Sequence, residues 1–367
     1  MGPFFFRHHS GDFCVASDGN LVNSKQIAEY LEKRGTIFQT DTDAELLAHL
    51  IKKSANEDRI VNIVKALNMM EGGYTFVIMT KNRIYAARDK YGIKPLCIGR
   101  IGDGYVVSSE SCAFGIMGAE FIRDVRPGEI ISLDSHGIRS TIFSKFCKHR
   151  MCGMEYIYFA RPDSDIDGCN VHAYRKEAGR RLYRECPVEA DMVVGVPESS
   201  LSAAMGYAEE SGIPYEMGLI KHKYVGRTFI EPVQSMRELG VKMKLSPVYS
   251  IVKGKRIVLV DDSIVRGTTS LKIVRLLREA GATEVHVRIA SPMMRFTCHY
   301  GVDTSTPEEL LCSHRTLEEA CAAIGADSLG YLSPESTRAS AFGCADPCQA
   351  CFTGEYPTLL YDEEIND

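Results

Sequence analysis

Arg256-Ile257-Val258-Leu259-Val260-Asp261-Asp262-Ser263-Ile264-Val265-Arg266-Gly267-Thr268-Thr269-Ser270 decides how the second half of this 367-residue chain is read. It predicts a strand, an acidic turn, a phosphate loop and a helix, in that order. Residues 257–260 are short, apolar and β-branched and are followed at once by charge. A strand buried on both faces of a parallel sheet ends in this way at its carboxyl edge, where ligands bind. Two neighbouring aspartates there can take the adjacent hydroxyls of a ribose or hold a hard cation. Gly267 to Ser270 offers small residues, hydroxyls and free amides at a helix start, which suit a phosphate.

Outward from this stretch, residues after 147 alternate helices and strands, as a doubly wound parallel sheet requires. Helices are predicted at 171–185, 200–211 and 271–280, and strands at 190–196, 215–220 and 284–290. Two further loops carry chemistry. Val196-Pro197-Glu198-Ser199-Ser200 lies between strand and helix, where amides and hydroxyls can meet pyrophosphate oxygens, with Ser199 as a third magnesium-site residue beside Asp261 and Asp262. Residues 221–245 are long, basic and poor in apolar periodicity, which predicts a lid.

The first half has another pattern, predicted as a layered α+β domain. A strand is expected at 13–16, a turn at Asp18-Gly19-Asn20, and a helix at 24–34 capped by Ser24. A second helix at 42–53 has Asp43 and Glu45 in its first turn and an apolar face of Leu46, Leu47, Leu50 and Ile51. Strands at 73–80 and 83–87 pair across Lys81-Asn82.

Composition bounds the function. The chain is 45% apolar and 25% charged, enough for two domains of ordinary size, divided here into 1–146 and 147–367. A net charge of -5 without blocks of like charge speaks against nucleic acid as a partner. No apolar run is long enough for a membrane and Phe4-Phe5-Phe6 is too short for a signal core, so a cytoplasmic protein is expected. Thirteen cysteines, an odd number, without an export signal predict buried thiols or a metal site rather than disulfides. Cys348 and Cys351 form a Cys-x-x-Cys, Cys152 precedes Met154-Glu155-Tyr156-Ile157-Tyr158, and Cys298 follows the last predicted strand. Four thiolates suit a 4Fe-4S cluster or zinc, and spacing leaves that choice open. Cys147, Cys169 and Cys344 are assigned to packing.

The 256–270 string resembles the phosphoribosyl pyrophosphate (PRPP) signature of type I phosphoribosyltransferases. The resemblance implies that Asp261 and Asp262 hold the ribose hydroxyls and a magnesium ion, and that Ser263, Ile264, Val265, Arg266, Gly267, Thr268 and Thr269 wrap the 5-phosphate. Glu198, Ser199 and Ser200 would face the pyrophosphate. Lys223-Tyr224-Val225-Gly226-Arg227-Thr228-Phe229-Ile230 is similar to the loop that closes over PRPP in glutamine PRPP amidotransferases. That likeness puts Lys223, Tyr224 and Arg227 over the leaving pyrophosphate, with Lys242 and Lys244 nearby.

In the first half, Arg88-Asp89-Lys90-Tyr91-Gly92-Ile93-Lys94-Pro95-Leu96, Ser108-Ser109-Glu110 and Val125-Arg126-Pro127-Gly128-Glu129 together resemble the glutaminase domain of class II, N-terminal-nucleophile amidotransferases. Asp18-Gly19-Asn20-Leu21 and Asp41-Thr42-Asp43 resemble its glutamine pocket, which implies an oxyanion amide from Gly19 and an amino-group site at Asp43. Two positions depart from the family. Its nucleophile is an N-terminal cysteine with its own amine as base, whereas residue 2 is glycine and Cys14 lies inside a predicted strand. Asp18 stands where the family has asparagine, and a carboxylate cannot donate to an oxyanion. The glutaminase half is expected to be truncated at its N-terminus, and the chain to use ammonia but not glutamine.

Taken together the chain resembles the cluster-containing, Bacillus-type amidophosphoribosyltransferases over essentially its whole length. The resemblance implies synthesis of 5-phosphoribosylamine at the first committed step of purine biosynthesis. It also implies a 4Fe-4S cluster on Cys152, Cys298, Cys348 and Cys351, a homo-oligomer of four chains, and feedback by purine nucleotides. Two rival readings are a non-catalytic PRPP-sensing regulator and a salvage enzyme acting on a nucleobase; the lid speaks against the first, the amidotransferase half and the cysteines against the second.

Overall fold

A computed structural model of the chain describes residues 3–361 apart from 10, 55–57, 146–147, 223–244, 305 and 345. In the first half, strands β1 (Phe4–Phe6), β2 (Phe13–Leu21), β3 (Gly72–Thr80), β4 (Ile84–Arg88), β8 (Glu129–Asp134) and β9 (Gly137–Ile142) form one antiparallel sheet in the order β1-β2-β3-β4-β8-β9. Alternation along these strands sends Phe13, Val15, Phe76, Ile78 and Tyr85 to one face, where they pack on helices α1 (Ser24–Glu32), α2 (Asp43–Lys53) and α3 (Arg59–Met69). The other face is partly covered by a small sheet of β5 (Cys97–Ile101), β6 (Gly104–Ser108) and β7 (Glu120–Asp124), through Ala86, Leu96, Ile98, Val125 and Ile131. This is the expected layered α+β architecture.

Several local expectations change. Asp18-Gly19-Asn20 is not a turn: β2 runs through it, with Asp18 opposite Thr75 and Gly19 opposite Tyr74. Polar composition suggested a turn, but Gly19 supplies the close approach. Its φ is +103°, and a Cβ there would stand 2.0 Å from the carbonyl oxygen of Gly73. Ser24 is the first helical residue rather than the cap; Asn23 is the N-cap, and no side chain caps that helix. The 42–53 helix begins at Asp43 after Thr42, with Leu46, Leu47, Leu50 and Ile51 all buried.

The second half has the expected parallel sheet, ordered β12 (Met192–Gly195), β15 (Arg256–Asp261), β16 (Glu284–Ile289) and β17 (Ser328–Tyr331). β15 lies inside it, and residues 257–260 are at most 1% exposed, as a strand covered on both faces must be. Helices α5 (Val171–Glu185) and α6 (Leu201–Ser211) pack tightly. A Cβ on Gly179 would meet the carbonyl oxygen of Ala203 at 1.9 Å, and one on Gly206 that of Lys176 at 1.9 Å. Residues 215–220 do not form a sheet strand. Tyr215 makes one bridge to Val193, and β13 (Leu219–Lys221) pairs instead with β14 (Leu245–Pro247) in a separate ribbon. The apolar run was real, but its partner is local. The strand before Cys298 is also not the last, because β17 follows it and pairs with β16.

The halves meet over a buried ionic seam. Arg88, 1% exposed, donates from both terminal nitrogens to Asp167 at 2.7 Å and also bonds the carbonyls of Gly92, Lys94 and Val125. Asp167 sits in the turn between β10 (Asp165–Ile166) and β11 (Cys169–Asn170), and His149 Nε2 is 2.9 Å from it. Burial works against the Asp167 charge, but Arg88 and His149 hold its carboxyl well below the usual range. Among the described residues no helix is long and apolar enough to cross a membrane.

Candidate functional site

β15 ends at Asp261, and Asp262 follows at the mouth of a cleft of about 450 Å³. Residues Asp261 to Ser270 line one side of it, with Ser199 beside them. Both acids are buried, Asp261 9% and Asp262 7% exposed. Burial first, and then Asp262, push the Asp261 carboxyl well above the usual range. Asp262 is raised by burial as well, against the hydroxyls of Ser199 and Ser263, which donate to it, and the charge of Arg175. Arg175 does not bond it, donating instead to the carbonyls of Tyr156 and Ala160. Two adjacent carboxylates with no directly bonded cation among the described residues are a donor set for a hard divalent ion.

The phosphate loop follows from its residues. Gly267, at φ +76°, turns the chain into the helix Thr268–Glu279, and no side chain caps that helix. Its first amides and the Thr268 and Thr269 hydroxyls are therefore available to an anion at the positive end of the helix. Ile264 is 3% exposed and anchors the loop in the core, while Leu311 N donates to Val265 O at 2.7 Å from behind. Arg266 turns outward, its guanidinium bonding Glu309 at 2.5 Å.

Not every expected residue faces the cleft. Ser200 is fully buried at the N-cap position of α6, but its hydroxyl donates back to the carbonyl of Val196 and does not cap the helix. Glu198 is exposed and accepts from Lys221 at 3.4 Å. Lys223, Tyr224, Arg227, Lys242 and Lys244 lie outside the described residues, as does Cys147. The opposite wall was missed. Met154, Tyr158 and Phe159 approach from one side and Val302, Asp303 and Thr304 from another. The signal was present in the aromatic run after Cys152 and the acid and hydroxyl cluster 302–306 after Cys298, but neither follows a buried strand in sequence.

The four cysteines gather behind that wall. Cys152 and Cys348 bridge in parallel, and Thr304 accepts from the amide of Cys298 at 2.8 Å. Cys351 is raised by burial and then by Cys152, Cys298 and Cys348, so each of these thiols lies within electrostatic reach of it. Burial raises Cys348 to about 11 and Cys152 well above its ordinary value. Among the described residues no three His, Cys, Asp or Glu side chains stand so as to hold a single metal ion. A tetrahedral zinc draws its sulfurs close at about 2.3 Å each, whereas a four-iron cubane accepts ligands set further apart.

In the first half, Asp43 accepts from the amide of Leu21 at 3.0 Å, and burial raises its carboxyl to about 6. Gly19 lies against Gly301 of the second half, and Asn20 donates to the carbonyl of His299 at 3.0 Å. A cavity of about 220 Å³ beside Asp18 is lined by Ser17, Thr75, Ser108 and Ser109. Asp18 is not left as a bare charge: Lys94 Nζ stands 3.4 Å from it and 3.3 Å from Glu155. Cys14 is a mid-strand residue whose thiol donates to the carbonyl of Met79 at 3.9 Å.

A parallel sheet with a phosphate loop, joined to an amidotransferase-like layer, defines a glutamine-amidotransferase and phosphoribosyltransferase fusion. Family comparison agrees, residues 2–115 matching the glutamine amidotransferase domain and residues 175–295 the phosphoribosyl transferase domain. Curated relatives include the amidophosphoribosyltransferase of Bacillus subtilis (strain 168), 52% identical over 99% of this chain and 78% of the relative. Another, from Staphylococcus aureus (strain N315), is 48% identical over 99% of this chain and 75% of its own length. A solved glutamine PRPP amidotransferase from B. subtilis, complexed with ADP and GMP, superposes with a TM-score of 0.94, covering 99% of this chain and 81% of that one. The chain belongs to the amidophosphoribosyltransferase family.

Proposed function

We propose that the 261–270 cleft binds PRPP with magnesium and transfers its phosphoribosyl group to ammonia, giving 5-phosphoribosylamine and pyrophosphate for purine biosynthesis. The observation that carries this reading is the buried pair Asp261 and Asp262 at the end of β15, bonded to no cation among the described residues and directly before an uncapped helix start. Asp261, Asp262 and Ser199 would hold the ion, which when bound neutralises charge on the departing pyrophosphate. Thr268, Thr269 and the helix amides hold the 5-phosphate, fixing the anomeric carbon opposite Tyr158, Phe159 and Val302, whose apolar surfaces exclude water. We place the boundary between the two domains near residue 146.

The four grouped cysteines would hold a 4Fe-4S cluster, whose role is structural: it ties the tail bearing Cys348 and Cys351 to the segments that carry Cys152 and Cys298. Anaerobically purified protein is expected to be brown, with about four irons per chain; colourless protein with one zinc would contradict the assignment. For nitrogen, ammonia is the group that attacks the anomeric carbon, and Cys14, held in a strand, is not placed as a glutaminase nucleophile. Purine nucleotides are the proposed regulators, occupying the same phosphate loop.

The test is pyrophosphate release from PRPP. Turnover with ammonium salts that depends on magnesium and rises with pH supports the reading, because free ammonia is the nucleophile. Absence of release from folded protein would favour a PRPP-sensing regulator.

A further inference from the structure

The tail that carries Cys348 and Cys351 holds another thiol that the proposed function does not use. Cys344 is the one exposed cysteine among the described residues. Its Sγ lies 3.6 Å from the carbonyl oxygen of Gly168, and the residue after that carbonyl is Cys169, 2% exposed. Cys169 opens β11, opposite Ile166, in a hairpin whose turn is set by Asp167 and Gly168 at φ +50° and +77°. That turn is held in place, because Arg88 bonds Asp167 at 2.7 Å. The tail side is anchored too: Asp346, two residues beyond Cys344, pairs with Arg150 and with Arg338. One thiol, open to solvent, thus sits on the carbonyl just before the residue that carries the other, which is covered and lies within electrostatic reach of it. The Cys169 thiol is raised to about 12, by burial first and then by Cys344 and Asp165, which leaves the exposed Cys344 as the first target.

We propose that Cys344 and Cys169 form a reversible redox pair, closed to a disulfide by a peroxide and reopened by a small thiol. In the first step the Cys344 thiolate attacks hydrogen peroxide. The O–O bond breaks, one oxygen leaves as water after taking a proton, and the other remains on sulfur as a sulfenic acid. The Cys169 thiol then attacks that sulfur, the S–O bond breaks, and hydroxide leaves with the Cys169 proton as a second water. One peroxide is reduced to two waters while two thiols are oxidised to one disulfide. Exchange with a small thiol reverses it through a mixed disulfide. The closed bond fastens the tail to the hairpin whose Asp167 grips the first half, independently of any cluster on Cys348 and Cys351.

The experiment treats the whole, anaerobically purified protein with one equivalent of hydrogen peroxide. Acid quenching and alkylation precede non-reducing peptide mapping. The expected result is a Cys169–Cys344 linked peptide, two hydrogens lighter than its parts, which disappears on reduction and is absent from Cys344→Ser and Cys169→Ser. In Cys169→Ser, Cys344 should instead accumulate as sulfenic acid, trapped by dimedone. The wild-type map decides even if a variant folds poorly. Cys344 found unlinked, over-oxidised to sulfinic acid, or joined to a cysteine other than Cys169 would overturn the proposal.

Discussion

Asp261 and Asp262 in the cleft and Glu155 and Asp167 at the seam are buried to a similar depth, the last with 9% of its side chain exposed. Each seam acid directly faces a cation, Asp167 from Arg88 at 2.7 Å and Glu155 from Lys94 at 3.3 Å. The cleft acids have hydroxyls and one amide but, among the described residues, no bonded cation. Asp89 shows the remaining solution, fully buried yet accepting from the amides of Tyr74, Tyr91, Ile93 and Lys94. Burial alone therefore does not mark a site. What marks it is a buried charge that the fold leaves to be neutralised by something else.

Removing a partner should separate the two regions. The largest effect is expected at the seam, where Arg88→Met leaves Asp167 with His149 as its one side-chain partner among the described residues. A loss of about 3–5 kcal/mol is expected from breaking a buried pair, read as a lower denaturation midpoint. Asp167→Asn in the same chain should recover part of it; an unchanged midpoint in the single variant would mean the seam is not under electrostatic load. Glu155→Gln should cost less, about 1–3 kcal/mol, because Lys94 keeps Asp18 at 3.4 Å.

The cleft acids should behave in the reverse sense. Asp262→Asn is expected to lower kcat/KM for PRPP by about a hundredfold or more while leaving the melting temperature equal or higher, since it removes an uncompensated charge. A variant that lost stability and kept activity would place Asp262 with the seam acids.

The pH dependence separates them again. Asp167 has a depressed carboxyl, so its contribution is present above the ordinary aspartate range and is lost only as pH falls through its low folded value, in strong acid. Asp43 has the opposite sign. Its folded value of about 6 lies above the ordinary one, so the protonated form is favoured by folding and stability falls as pH rises from about 4 to about 6. Asp43→Asn should flatten that part of the stability profile, visible in chemical denaturation at pH 4.5 and 7.

How much of this was legible depended on whether the chemistry was local in sequence. The strand, acid pair and phosphate loop of 256–270 could be read directly because one continuous stretch makes them. The missing cleft wall could not, since Tyr158, Phe159, Val302 and Asp303 reach it from two segments far apart in sequence. Gly19 was misread as a turn because composition does not distinguish a glycine needed for φ from one needed for close approach, and here the facing carbonyl of Gly73 requires it. Lys94 was legible as part of a motif but not as an ion-pair hub, because its meaning lies in Asp18 and Glu155, far from it in sequence.

The central claim is that Asp261 and Asp262 are left uncompensated for a metal and a ribose. Calorimetric titration of PRPP into the folded Asp261→Asn, Asp262→Asn double variant, with and without magnesium, tests it most directly. Wild-type protein should bind PRPP more tightly with magnesium present, and the double variant should lose that magnesium-dependent gain while its melting temperature holds or rises. Unaltered magnesium-dependent binding in the double variant would contradict the account.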